Sequence, residues 1–317
     1  MKYKILICGA GSIGERHIKN LLKIGYKDII LFRREKKNLR TIKKKIKQFT
    51  SLEKALSQKP DIAIITNPTN QHIDTAIKCA RSNCHLFIEK PLSNNLKKVN
   101  LLSKICVKKK LICSTGFMMR YHPLIKKIKK IIDFKKIGKI IHYTSQWGED
   151  LRLWHPWEDY KISYAANDKM GGGPTLTLSH DIDLAIWFCN QEIKKKYINL
   201  NYGSALDIKT HHSSDIILKF KNNTTANIHL DFYQNPPKRT IEIVGTKGRL
   251  EFDYFSSVLK HFLSNSAKVK TYKLIKFNRN DMFLDEIKHF LVCVKKNLGA
   301  PIPIDESIKS LKLSIFK

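Results

Sequence analysis

Apolar positions along the first third of the chain alternate between two rhythms, unbroken runs of three or four and stripes spaced three or four apart. The stretches Lys4-Ile5-Leu6-Ile7-Cys8, Asp28-Ile29-Ile30-Leu31-Phe32, Asp61-Ile62-Ala63-Ile64-Ile65-Thr66 and His85-Leu86-Phe87-Ile88 read as parallel strands buried on both faces. The stripes between them predict helices. Ile13, His17, Ile18, Leu21 and Leu22 share a face and Gly25 closes that helix, Leu39, Ile42 and Ile46 predict a basic amphipathic helix, and Thr50 with Glu53 has capping-box spacing. His72 to Ala80 and a helix capped by Ser93 and running to Lys109 continue the alternation, and Leu111 to Thr115 gives one more strand. Strand and helix alternating in this way predict an α/β fold with a doubly wound parallel sheet.

The rhythm changes after Phe117. Pro123 opens a helix carrying Leu124, Ile125, Ile128, Ile131 and Ile132, and Ile137 to Trp147 reads as a strand. An aromatic segment follows with Trp154, His155, Trp157, Tyr160 and Tyr164; its rings either stack on a sugar or fill the loop's own apolar cluster. Leu176 to Cys189 has helical periodicity, and Asp215 to Phe220, Thr224 to Phe232, Thr240 to Val244 and Arg249 to Tyr254 pair as hairpins around Asn222-Asn223 and Gly245-Thr246-Lys247-Gly248. Met282 to Leu298 returns as an amphipathic helix with Phe283, Ile287, Phe290, Leu291 and Val294. The expected organisation is a doubly wound domain over residues 1–117 and an α/β domain with a large, mostly antiparallel sheet over 118–317.

Composition narrows this without redirecting it. At 317 residues and 42% hydrophobic the chain can bury a large core, and no apolar run approaches the roughly 20 residues of a membrane span. Seven cysteines, odd in number and with no C-x-x-C pair, predict reduced thiols in a cytoplasmic protein and no structural zinc. The net charge of +32 comes from lysines spread through most segments. Without a recognition motif or an aromatic platform it argues against nucleic acid as partner and is compatible with an anionic small molecule.

The chemistry begins at Gly9-Ala10-Gly11-Ser12-Ile13-Gly14. Gly9 permits the tight turn, Gly11 lets backbone approach a pyrophosphate, Gly14 allows close helix packing, and the helix that opens at Ser12 and Ile13 supplies N–H donors to the anion. A dinucleotide is expected there. Arg33-Arg34 stand where an acidic residue would accept from the ribose of NAD; either they receive a 2′-phosphate, favouring NADP over NAD, or they are solvated surface charges.

Four motifs in order then carry a resemblance: Gly9 to Gly14, Thr66-Asn67-Pro68-Thr69 with His72, Glu89-Lys90-Pro91, and Gly171-Gly172-Gly173 followed by His180 and Asp183. Over nearly its whole length the chain resembles the Gfo/Idh/MocA family of NAD(P)-dependent oxidoreductases. The resemblance implies Lys90 and His180 as the catalytic pair, with Thr177 where many relatives carry an aspartate one turn before the histidine. It implies cofactor contacts from the glycine loop, Arg33, Arg34, Thr66, Asn67, Pro68, His72, Glu89 and Lys90. Substrate contacts are implied for Arg120, Tyr121, Trp147, Tyr164 and Asp181, although for Arg120 an ion pair at a domain interface is an equal reading. Trp157-Glu158-Asp159-Tyr160 and the segment around His180 resemble the branch met in surface-polysaccharide and nonulosonate biosynthesis. Relatives pair through an open face of the second sheet, so a homo-oligomer is implied.

The expected activity is hydride transfer between a nicotinamide cofactor and a sugar or nucleotide-sugar carbon, with no metal. A redox-neutral enzyme that retains its cofactor and a non-catalytic dinucleotide sensor are the alternatives; intact Lys90 and His180 oppose the second.

Overall fold

The unbroken apolar runs form parallel strands, as their two-sided burial requires. A computed structural model describes residues 3–154, 158–203 and 205–315, so His155 and Trp157 of the aromatic segment lie outside the described residues. The first 118 residues contain β1 (Ile5–Cys8), α1 (Ser12–Lys23), β2 (Ile29–Phe32), β3 (Lys47–Phe49), α2 (Leu52–Leu56) and β4 (Ile62–Ile65). They continue with α3 (His72–Arg81), β5 (His85–Glu89), α4 (Val99–Lys108) and β6 (Cys113–Gly116). Next come α5 (Pro123–Asp133), β7 (Ile140–Gly148), α6 (Pro174–Thr177), α7 (His180–Cys189), β8 (Ile193–Asn201), β9 (Ser213–Phe220) and β10 (Thr225–Asp231). The chain then runs through β11 (Lys238–Gly245), β12 (Gly248–Asp253), β13 (Val258–Leu263), β14 (Val269–Lys273), α8 (Arg279–Lys296) and α9 (Ile304–Ser314). No helix among the described residues is long and apolar enough to cross a membrane.

Two units result, one of residues 3–118 with 280–315 and the other of residues 119–279. The first holds a six-stranded sheet in the order β3-β2-β1-β4-β5-β6, every pair parallel. Strand order reverses at β1 and β4, the place where doubly wound sheets bind ligands beyond their carboxyl ends. The second holds an eight-stranded sheet, β14-β13-β12-β11-β7-β10-β9-β8, antiparallel except for the β7–β10 pair. Its strands alternate buried and exposed positions, and α7 packs on β7 and β10.

Several expectations are corrected. The helix expected around Leu39 and Ile42 does not form; Leu39 and Ile42 pack against the first core from a loop, because the Arg40 and Thr41 amides donate to the Glu15 carboxylate at 2.8 and 2.9 Å. Ser93 caps no long helix: its hydroxyl accepts from Asn95 N and the Asn95 side chain accepts from Lys97 N, so local turns delay α4 to Val99. Ser51, rather than Thr50, caps α2. The expected helix 176–189 is broken at Leu178 and Ser179.

The second domain was expected to run continuously over 118–317, yet 280–315 belongs to the first unit. In α8, Ile287, Phe290, Leu291 and Val294 join the core of Ile5, Ile7, Ile64 and Phe87, with the Phe87 and Phe290 rings 5.5 Å apart edge to face. The Thr115 amide donates to Ile302 O at 3.1 Å, tying the segment before α9 to β6. Because Phe290 is fully buried, Phe290→Ala is expected to lower unfolding free energy by about 3–5 kcal/mol, read by urea denaturation.

Candidate functional site

In the first unit the chain leaves β1 through Gly9, at φ +110°. A Cβ there would stand 2.7 Å from both Asn67 N and Thr66 O, and one on Gly14 would stand 2.3 Å from Gly9 O. Both positions exclude any side chain. On Gly11 a Cβ would meet nothing within 4 Å, so the loop is packed on its inner side and open at its crest. Gly11 is also the N-cap of α1, and no side chain caps the helix there. The Ser12 and Ile13 amides therefore begin a helix whose dipole favours an anion. These residues fit a dinucleotide pyrophosphate.

The other motifs brace this cradle. Thr66 Oγ1 donates to Gly9 O at 2.9 Å, joining the ends of β1 and β4. Asn67 Nδ2 donates to Thr75 Oγ1, while its buried Oδ1 has no protein partner and suits a donor on a ligand. His72 was expected to touch the cofactor, but its ring is buried, with Nδ1 2.9 Å from Pro91 O and Nε2 2.8 Å from Asn67 O. Burial holds its pKa below the usual value, so a neutral ring donates to one carbonyl and faces the other. It ties the Asn67-Pro68 loop to the Lys90-Pro91 loop. Glu89 is likewise a brace, with Oε1 2.7 Å from His17 Nε2 and Oε2 accepting from the Lys90 amide at 3.2 Å. Lys90 itself is half-buried at the carboxyl end of β5.

Arg33 is half-buried and Arg34 exposed just past β2, and Arg33 Nη1 donates to Lys37 O at 3.3 Å. Beside Phe32 lies a cleft of about 430 Å³ lined by Thr50, Leu52, Gln71, Asp74 and Thr75, on the side where the adenosine of a dinucleotide would extend.

In the second unit the glycine triplet is a close-packed turn. Gly173 has φ +89°, and a Cβ on it would stand 2.2 Å from His211 Cε1. Burial pushes His211 down to about 4, so it is a neutral packing group at neutral pH. Beyond the turn, Thr177 Oγ1 donates to Gly173 O at 2.7 Å, closing α6. His180 then opens α7 and is only 2% exposed. Its ring lies 6.1 Å from that of Trp147, inclined by 27°.

Trp147 and Asp181 were expected to meet substrate. Instead Trp147 is 5% exposed, with Nε1 donating to Glu149 Oε1 at 2.8 Å and the Arg239 guanidinium 3.8 Å over the ring. Asp181 is fully buried against Arg239, which donates to its Oδ2. Burial raises the Asp181 pKa and Arg239 opposes that rise. Arg120 and Asp183 form a two-pronged pair at 2.8 and 2.7 Å, and the guanidinium also lies 5.0 Å over Trp187. Its fork is thus engaged within the second unit. Tyr121 is buried, with Lys126 Nζ 5.1 Å over its ring, while Tyr164 is exposed.

Sequence reasoning missed Glu15, His17, Arg239 and His211. The run Gly14-Glu15-Arg16-His17 carried a signal, since polar residues on the inner face of a helix need partners. Arg239, at the start of an exposed-looking strand, carried none.

Comparison with known proteins agrees with this arrangement. Residues 3–117 match the family model described as oxidoreductase family, NAD-binding Rossmann fold, and residues 125–251 match the GFO/IDH/MocA C-terminal domain. Myo-inositol 2-dehydrogenase of Thermotoga maritima is 29% identical over 92% of this chain and 88% of its own length. The scyllo-inositol 2-dehydrogenase (NAD(+)) of Bacillus subtilis is 27% identical over 77% of this chain and 70% of its own. The crystal structure of the WlbA dehydrogenase from Bordetella pertussis, in complex with NADH and UDP-GlcNAcA, superposes with a TM-score of 0.81 at 18% identity, covering 99% of this chain and 94% of that one.

Because Arg239 pairs with the fully buried Asp181 carboxylate, Arg239→Met is expected to cost about 3–5 kcal/mol in urea denaturation. Adding Asp181→Asn should recover part of the loss; a neutral single variant would show that the pair is dispensable.

Proposed function

The chain belongs to the Gfo/Idh/MocA family of oxidoreductases, and from that premise we propose that it transfers hydride between a nicotinamide cofactor and a hydroxyl-bearing carbon of a sugar or polyol. The observation that carries the reading is the phosphate cradle, open at Gly11 and closed at Gly9 and Gly14, at the point where strand order reverses. The inositol dehydrogenases among the relatives support a polyol, and the UDP-GlcNAcA complex of the similarly folded dehydrogenase supports a nucleotide sugar. An acidic sugar destined for a surface polysaccharide is our finer assignment. NADP is preferred over NAD in this reading, supported by Arg33 and Arg34 past β2. The same reading includes a cytoplasmic homo-oligomer; the exposed cross-strand pair Tyr197 and Ile217 supports a covered face.

The bound nicotinamide supplies the hydride acceptor or donor. Gly11 and the α1 amides would hold the pyrophosphate, and Asn67 Oδ1 would accept from a donor on the cofactor. Lys90 Nζ donates to the substrate hydroxyl oxygen, and the His180 imidazole takes the hydroxyl proton during oxidation and returns it during reduction. Trp147 and the Asp181–Arg239 pair hold the histidine side of this machinery in place.

The test is turnover of NAD(P) with inositols, free sugars, UDP-sugars and simple hydroxy acids. Activity is expected with the polyol or sugar classes, and activity confined to aliphatic hydroxy acids would reject the substrate class. His180→Asn and Lys90→Met should each lower kcat by about 10²- to 10⁴-fold while leaving cofactor affinity largely intact. Normal turnover by His180→Asn would overturn its role.

A further inference from the structure

Glu15 follows the last glycine of the cradle and is 3% exposed. A carboxylate so near a pyrophosphate site would repel its ligand unless its charge were engaged, and it is. Its Oε1 accepts from the Arg40 amide at 2.8 Å, and Oε2 accepts from the Thr41 amide at 2.9 Å and the Thr41 hydroxyl at 2.5 Å. Burial raises its pKa, but these hydrogen bonds outweigh that and hold it below the usual carboxylate value. The segment it grips is the loop from Arg33, which forgoes a helix to reach it. That loop is pinned at two further places: the Arg33 amide donates to Phe49 O at 3.0 Å, and Gln48 Nε2 donates to Lys37 O at 2.9 Å. Arg33 and Arg34 thus lie on a strap fastened at one end to the sheet and at the other to the first turn of α1.

We propose that Glu15 is a positioning residue for cofactor choice, holding the arginine-bearing strap against the phosphate loop so that a 2′-phosphate meets a preset cationic site. The proposal rests on the dinucleotide-binding reading above. NADPH and NADH share everything except that phosphate, so the strap acts on their ratio. A group that only stabilised the fold would affect both cofactors alike.

The experiment measures Kd for NADPH and NADH by fluorescence at fixed ionic strength for wild type, Glu15→Gln, Thr41→Val, Arg33→Ala and Arg34→Ala, with thermal unfolding of each. Glu15→Gln is expected to weaken NADPH about tenfold and NADH less than about threefold. Thr41→Val removes one hydrogen bond from an exposed position, and should move the ratio the same way by a smaller factor even if Glu15→Gln fails to fold. Equal loss for both cofactors, or no loss, with Glu15→Gln and Thr41→Val would overturn the proposal while leaving dinucleotide binding standing. Failure of wild type to bind either cofactor would overturn the dinucleotide reading and the proposal with it. A ratio unmoved by both arginine variants would also overturn it, since the strap would then carry nothing that the 2′-phosphate meets.

Discussion

The first unit depends on one close approach, that of the Gly9 and Gly14 backbone to each other and to the end of β4. With Gly14 positioned to leave 2.3 Å between an added Cβ and Gly9 O, α1 can start only where no side chain intervenes. That start fixes where the helix amides point, and Thr66 Oγ1 locks the spacing by donating to Gly9 O. Everything else at the carboxyl edge is arranged around this contact. Glu15 and His17 lie on the inner side of the same helix and reach, respectively, the strap after β2 and the Glu89 carboxylate at the end of β5. A single rigid helix turn therefore sets the positions of two loops far apart in sequence, and His72 links the second of these to the loop after β4.

The second unit solves a different problem, that of keeping charge inside an apolar layer. Asp181 and Asp183 both sit in the first turn of α7, where the helix dipole favours carboxylates, and each has an arginine from outside the helix. Each guanidinium also lies over an indole, Arg239 over Trp147 and Arg120 over Trp187. An aromatic face offers a weakly hydrated cation a partner that water does not replace, so planar guanidinium suits both places where lysine would not. The same burial with Arg239 nearby pushes His122 down to about 3, keeping the neighbourhood from gaining a second positive charge. Around His180 the net result is a stack fixed by ions rather than by shape alone.

The sequence was most legible where local pattern and tertiary demand agree. Parallel strands buried on both faces announce themselves as apolar runs, and β1, β2, β4 and β5 were read to within a residue or so. The glycine loop was legible because its chemistry requires particular residues at particular spacings. Legibility failed where a distant group intervened. Leu39, Ile42 and Ile46 have helical spacing and pack inward, but Glu15 takes the amides that a helix would need. Strands β8 and β14, rich in exposed lysine, lack the alternation that would have marked them. The pattern of α8 identified a helix and its buried face correctly, but no periodicity tells which sheet such a face will meet.

The site residues show the same division in another form. The motifs named residues that matter, yet Thr66, His72, Glu89 and Trp147 emerge as braces because their polar side-chain atoms have backbone or side-chain partners, and one oxygen of Asp181 is likewise held, by Arg239. A motif marks a position under constraint, and constraint arises as readily from holding a loop as from touching a ligand. Burial with internal partners separates the two cases. By that criterion Gly11, with open space at its crest, and Asn67, with one buried oxygen lacking a protein partner, are the motif positions of the first unit most clearly left for a ligand. The braces define where those two stand, since Thr66 and His72 fix the backbone on either side of them.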